Sequence, residues 1–477
     1  MQNQDQLNGQ GQKAEEHLTS VPAIDSNVNS KKEVAKTVEN ILQYVKEHSE
    51  ELALHYLSVK TETGSDYKPS EKKYTCTKIS ENEYLSKLLK VSIVILTANA
   101  FESEILNLNL SNRFGCTVLE RNPSLLLLRG KKPTYAYIFE MPDYTILHLH
   151  APDTGSNTPC GSADLARYIN ECEYLNPSCI ISFGICFGQT MDGFNLGDTI
   201  VAEKIYPWSI GVKISLDNLG NTTWEIKSDD YVINLAEFAP LIYDKIKTTC
   251  NSTTNLCLNQ QVLLGNIITS EAVVSNELVK RSAEIAAHGW KIIGGEMEGY
   301  GLAKEALFYG PQDRNRPRIA CVILKAICDW GAVKNIDDYI DKATLCSLLT
   351  IQASYKDQIQ AYTAYCAYKV LEALLEEKVF DNNNILSSFT KYINNLFMRN
   401  NGFMSVDRFH QFISEWLANS QGDHQASDLR FPVEKYNRLS QERLNNYIRM
   451  LSSLVLENTN EFYVDNNNMI YRHPIQK

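Results

Sequence analysis

Gly294-Gly295-Glu296-Met297-Glu298-Gly299-Tyr300, followed about thirty residues on by Lys325-Ala326-Ile327-Cys328-Asp329-Trp330, decides how this chain is read. Each stretch follows or contains a strand-like apolar run. Together they set two carboxylates, Glu298 and Asp329, at the ends of core elements, where an ionised group is costly without a partner or a task.

Working outward, the run Val91-Ser92-Ile93-Val94-Ile95-Leu96-Thr97-Ala98 is β-branched and apolar without alternation, the mark of a strand buried on both faces. Similar runs recur as YTILHLHA, SCIISFGICFG, DTIVAEKI, VLLGNIIT and RIACVILKAI, with helical stretches between several of them. Strands alternating with helices predict a three-layer α/β/α core with a mixed central sheet. The pattern closes on a helix ending near Lys378.

The flanks read differently. Residues 1–30 are rich in Gln, Asn, Ser and Gly and are expected to be disordered. Residues 31–90 read as an amphipathic helix, with Val34, Val38, Ile41, Leu42 and Val45 at helical spacing, and a polar linker. Residues 91–378 form the expected catalytic domain. Residues 379–477 read as a small, mainly helical accessory domain ending in a hairpin, EFYV and MIYR, a set compatible with a winged-helix-like module. Ten basic residues balance ten acidic ones there, which suits a protein partner or regulator better than DNA.

The net charge of -11 argues against nucleic-acid or anionic-membrane binding. No apolar run reaches membrane-spanning length, and Met1–Gln12 lacks the basic and apolar parts of a signal peptide, so a cytoplasmic location is expected. The twelve cysteines show no CxxC or zinc spacing and are expected to be reduced and buried. His148 and His150 share a strand face, but no third ligand stands near, so neither a metal nor another cofactor is expected.

Four segments of residues 91–378 together resemble the nucleoside phosphorylase/nucleosidase superfamily, and among its members the methylthioadenosine/S-adenosylhomocysteine nucleosidases. The first is Ile93–Ile105, a strand running into an acidic helix start. The second is Ser182–Gly188 with Gly197–Val201. The third is Gly265–Val274, and the fourth is Glu296-Met297-Glu298 with Asp329. The resemblance implies Glu104 as the water-activating base, with Glu102 an acidic residue favoured by the helix dipole. It implies Asp329 as the acid that protonates the departing purine, although a helix N-cap is the alternative for that position. It implies Glu298 as the clamp on the ribose hydroxyls and Met297 as the floor beneath the sugar. Val274 would offer its backbone to the base, and Phe187, standing where relatives carry a small residue, would stack on the base or narrow the pocket. Val273 replaces an aromatic residue of the family.

The resemblance implies an N-ribosyl hydrolase acting on an adenine-containing nucleoside or nucleotide, assembled as a homo-oligomer and needing no cofactor. Superfamily members with extra domains act as antiviral defence effectors that deplete nucleotides. A triphosphate would need a cationic rim, for which Lys204, Lys325, Lys334, Arg129, Lys131 and Lys132 are candidates. The alternatives are a phosphate-dependent phosphorylase, for which a Gly-Asp-Pro-x-Arg turn is missing and Arg113 is the nearest arginine, and an inactive nucleoside-binding sensor.

Overall fold

The computed structural model describes residues 28–52, 76–119, 124–128, 132–151, 161–172, 174–189, 193–208, 212–216, 222–226, 231–253, 257–258, 260–270, 291–308, 319–330, 355–384, 403–419, 440–458, 462–464 and 469–472, with a few single residues between 386 and 467. In chain order the elements are α1 (Val28–Glu47), β1 (Cys76–Ile79), α2 (Glu81–Leu88), β2 (Ile93–Thr97), α3 (Ala100–Arg113), β3 (Gly115–Leu119), β4 (Ser124–Leu128), β5 (Lys132–Glu140), β6 (Thr145–His150), α4 (Ser162–Glu171), β7 (Cys179–Gly188), β8 (Thr199–Pro207), β9 (Val212–Leu216), β10 (Thr222–Ile226), β11 (Ile233–Asn234), α5 (Leu235–Phe238), α6 (Pro240–Ser252), β12 (Val262–Thr269), β13 (Ile292–Glu296), α7 (Gly299–Phe308), β14 (Ala320–Trp330), α8 (Tyr355–Glu376), β15 (Phe403–Ser405), α9 (Val406–Asn419), α10 (Gln441–Asn458), β16 (Phe462–Val464) and β17 (Met469–Arg472).

The apolar runs without alternation become the centre of a twelve-stranded mixed sheet ordered β1-β3-β5-β6-β2-β7-β13-β12-β8-β11, with β4 on β5. All five residues of β2 are buried, as are nine of the ten in β7, so both faces of these strands are covered. One feature departs from an open three-layer sheet. β14 pairs with β7 in parallel and with β8 in antiparallel fashion, so β7, β14, β8, β12 and β13 close into a ring. Gly294 and Gly295 permit the closure. A Cβ on Gly294 would sit 2.6 Å from the Phe187 carbonyl oxygen, and one on Gly295 would sit 2.4 Å from the Phe187 ring. Helix α8 packs on α3, β7 and β14, α1 lies over α8, and α4 packs on α7.

Arg113 ties α3 to α8 through Glu372 and Glu376. The C-terminal elements have a core of their own, built around Phe397, Phe409, Tyr447 and Leu451, which reaches the main body at Leu89 and Tyr174. The expected hairpin pairs as β16 and β17, and β15 adds a third antiparallel strand.

One cysteine expectation is corrected. Cys76 of β1 and Cys116 of β3 are direct register partners and form a disulfide, while the eight other described cysteines are free. A Cα–Cα distance of 4.6 Å, within disulfide reach, follows from parallel pairing across 40 residues of sequence, which no local motif encodes. Among the described residues no helix is long and apolar enough to cross a membrane.

Candidate active site

The turn from β2 into α3 builds the first part of the site. Asn99 caps α3, its side chain accepting from Phe101 N–H at 2.9 Å, and Glu102 at the third helical position completes a capping box. Glu102 does more than cap. Its Oε2 accepts from the Ala98 and Asn99 amides, both at 2.9 Å, and its Oε1 accepts from Ile185 N–H of β7, also at 2.9 Å. The carboxylate is buried, and only a glycine lets it come so close to β7. A Cβ on Gly184, whose φ is +151°, would lie 2.0 Å from Glu102 Oε1. Burial raises the Glu102 pKa. The Lys325 ammonium and the amide donors pull it down, and neighbouring Glu298 pushes it up.

The end of β13 supplies the second part. Glu296 Oε2 accepts from the Glu298 and Gly299 amides at 2.8 and 2.7 Å, and its Oε1 accepts from the Thr269 hydroxyl. It is the scaffold of the turn into α7. Burial pushes its pKa up to about 7, with the Glu298 charge adding to the rise and Lys325 opposing it. Glu298 is thereby fixed. Its carbonyl accepts from Ser162 Oγ at 2.7 Å, and its Oε2 lies 3.2 Å from Lys325 Nζ.

Lys325 comes from the middle of β14, as the register partner of Gly184. It is fully buried, which alone would lower its pKa. Glu298, Glu102 and Glu296 around it outweigh that and hold the ammonium above its ordinary value. Gly184 therefore makes room for Glu102 and is at the same time the register partner of Lys325.

Asp329 lies four residues further along β14, past an irregularity. Ile327 pairs with Cys186 and Asp329 with Phe187, so Cys328 is an extra residue bulged out of the ladder. A bulge shifts the alternation and re-aims the side chain that follows it. Asp329 becomes the register partner of Phe187, while Lys325 remains that of Gly184. The two halves of the site meet at Cys186. Burial pushes that thiol up, and it feels the charges of Lys325, Glu296, Asp329 and Glu102.

The sequence-predicted residues are thus distributed as follows. Glu298, Lys325 and Glu102 converge. Glu104 is buried two positions beyond Glu102, about 200° around the helix axis from it. Phe187 packs with Tyr206, Ile268 and Ile292 over Gly295, as a wall of the ring of strands. Met297 is half-buried at the turn between Glu296 and Glu298. Val274 lies outside the described residues, as do Lys334, Arg129 and Lys131. Lys325 is a buried partner of carboxylates and not part of a cationic rim. Its signal was available: a lysine inside Cys-Val-Ile-Leu-Lys-Ala-Ile-Cys is a charge in a run that must be buried. Among the described residues, no group of three or more His, Cys, Asp or Glu side chains is arranged to hold a metal ion.

Neither protein-family models nor curated proteins give a match. Among solved structures, the chain is similar to futalosine hydrolase of Helicobacter pylori (15% identity, TM-score 0.36, covering 60% of this chain and 98% of that one). It is also similar to 5'-methylthioadenosine/S-adenosylhomocysteine nucleosidases from Neisseria meningitidis (16%, TM-score 0.36, 58% and 98%) and from S. pneumoniae (14%, TM-score 0.37, 60% and 99%).

Proposed function

We propose that this chain hydrolyses the N-ribosyl bond of a purine nucleoside, adenine being the favoured base. In this reading Glu102 accepts a proton from a water molecule as its oxygen bonds to C1' of the ribose. The C1'–N bond breaks through an oxocarbenium-like state, and Asp329 delivers a proton to the leaving purine. Glu298 accepts hydrogen bonds from the ribose hydroxyls, a charge-assisted clamp. Glu102, the carboxylate of the capping box, takes the place first expected for Glu104.

The observation that carries the reading is the convergence of Glu102, Glu298 and Lys325, from three elements far apart in the chain, in one buried cluster. Burial raises the Glu102 pKa, with Lys325 and the Ile185 and Asn99 amides opposing the rise, and a carboxylate with a raised pKa is the better proton acceptor. Water is favoured over phosphate as nucleophile. An entering anion would meet three carboxylates, and the lysine among them is already held by Glu298.

The test is to incubate the purified protein with adenosine, methylthioadenosine, AMP and ATP, with and without phosphate. Release of adenine with free ribose (or its 5'-substituted form), independent of phosphate, is the expected result. Ribose 1-phosphate formation would assign phosphorolysis. Absence of base release from every substrate would leave the nucleoside-binding sensor as the surviving alternative.

A further inference from the structure

Beside Glu102 lies a second buried polar set that the proposed chemistry does not use. Thr97, the last residue of β2, has its Oγ1 2.9 Å from His148 Nε2 and 3.0 Å from His150 Nδ1. His148 Nδ1 in turn lies 2.6 Å from Asn107 Oδ1 of α3. All four side chains are buried. The Leu147-His148-Leu149-His150 spacing explains the geometry. Residues two apart on a strand share a face, and β6 pairs with β2 so that His150 is the register partner of Thr97.

The chain of bonds has one consistent direction. Asn107 Oδ1 only accepts, so His148 carries its proton on Nδ1 and presents the lone pair of Nε2. The Thr97 hydroxyl then donates to that lone pair and accepts from His150 Nδ1–H. This direction needs His148 uncharged. Burial, aided by the neighbouring His150, holds the His148 pKa well below its ordinary value.

Thr97 is joined directly to the turn that presents the Ala98 and Asn99 amides to Glu102 Oε2, and its carbonyl accepts from Ala151 N–H at 2.7 Å. The same turn is therefore held at its side chain by two histidines, at its carbonyl by the strand after His150, and at its amides by Glu102. A hydroxyl with two fixed partners has no rotational freedom left, and its backbone inherits that restriction.

We infer that Asn107, His148, Thr97 and His150 form a positioning relay for Glu102, holding the β2–α3 turn so that its two amides stay aimed at the carboxylate that activates water. The inference rests on the reading of Glu102 as base. Thr97 is the positioning residue to test, because valine copies its shape and serine keeps its hydroxyl.

With the full-length protein and its preferred nucleoside, Thr97→Val lowers kcat roughly three- to tenfold, the worth of one neutral hydrogen bond, and leaves KM within about twofold. Thr97→Ser restores kcat. Asn107→Ala, which frees the His148 tautomer from the far end, also lowers kcat with KM unchanged, and it serves if Thr97→Val does not fold. Unchanged kcat in Thr97→Val, or equal losses in the valine and serine variants, overturns the relay. Glu102→Gln is run beside them. If it is as active as the unaltered protein, the base assignment fails first and takes the relay with it. If it is inactive while Thr97→Val and Asn107→Ala behave as the unaltered protein, the relay alone is refuted.

Discussion

Replacing Lys325 with methionine keeps the length of the side chain and deletes the charge. The structure sets the size of the effect. Lys325 Nζ lies 3.2 Å from Glu298 Oε2 with both groups out of solvent, so at an effective dielectric of about 20 that pair alone attracts by about 5 kcal/mol. Glu102 and Glu296 add to the field on the ammonium. Without it, three carboxylates remain buried near one another, and removing one partner of a buried pair costs about 3–5 kcal/mol. The cost must fall in acid, because protonating the carboxylates relieves the repulsion. Urea unfolding of Lys325→Met and of the unaltered protein at pH 8 and pH 5.5 measures both effects. We expect a loss of about 3–5 kcal/mol at pH 8 and a clearly smaller one at pH 5.5. A loss under about 1 kcal/mol, or the same loss at both values, would refute the buried cluster as described.

Other outcomes follow from the same geometry. Glu102→Gln should lower kcat by about 10²–10⁴, the usual worth of a general base, while Glu104→Gln should keep kcat within about tenfold; steady-state kinetics of the pair decides, and the opposite order would restore Glu104. The Glu296 carboxyl, raised from 4.5 to about 7, binds its proton more tightly in the folded state. Its contribution, about 3 kcal/mol, is fully present below pH 4.5 and is lost as pH rises to about 7. Melting temperatures across that window should therefore slope downward, and Glu296→Gln should flatten the slope. Reducing the Cys76–Cys116 bridge opens a loop of 40 residues and should cost about 4 kcal/mol, read by urea unfolding with and without dithiothreitol.

The sheet was legible because β2, β7 and β14 are apolar without alternation, which only a strand covered on both faces tolerates. The closed ring was not, because it depends on β14 pairing with β8 as well as β7, a matter of register between distant segments. Glu298 and Asp329 stood out as carboxylates at the ends of buried runs. The sequence favours Glu104 for the role that the proposed function gives to Glu102, and the reason is local. An acidic first turn has a sufficient explanation in the helix dipole, and the cap at Asn99 decides which carboxylate turns back toward the strand. The spacing Asn99-x-x-Glu102 carried that information as a capping box. The disulfide needed the pairing of β1 with β3, which joins segments 40 residues apart.

The central claim is that Glu102 and Asp329 act on opposite sides of one ribosyl bond, and base release followed in single turnovers tests it most directly. Unaltered protein should free adenine from its nucleoside, Asp329→Asn should slow that step by orders of magnitude while substrate still binds, and Glu102→Gln should do the same. Equal rates for all three would contradict the assignment.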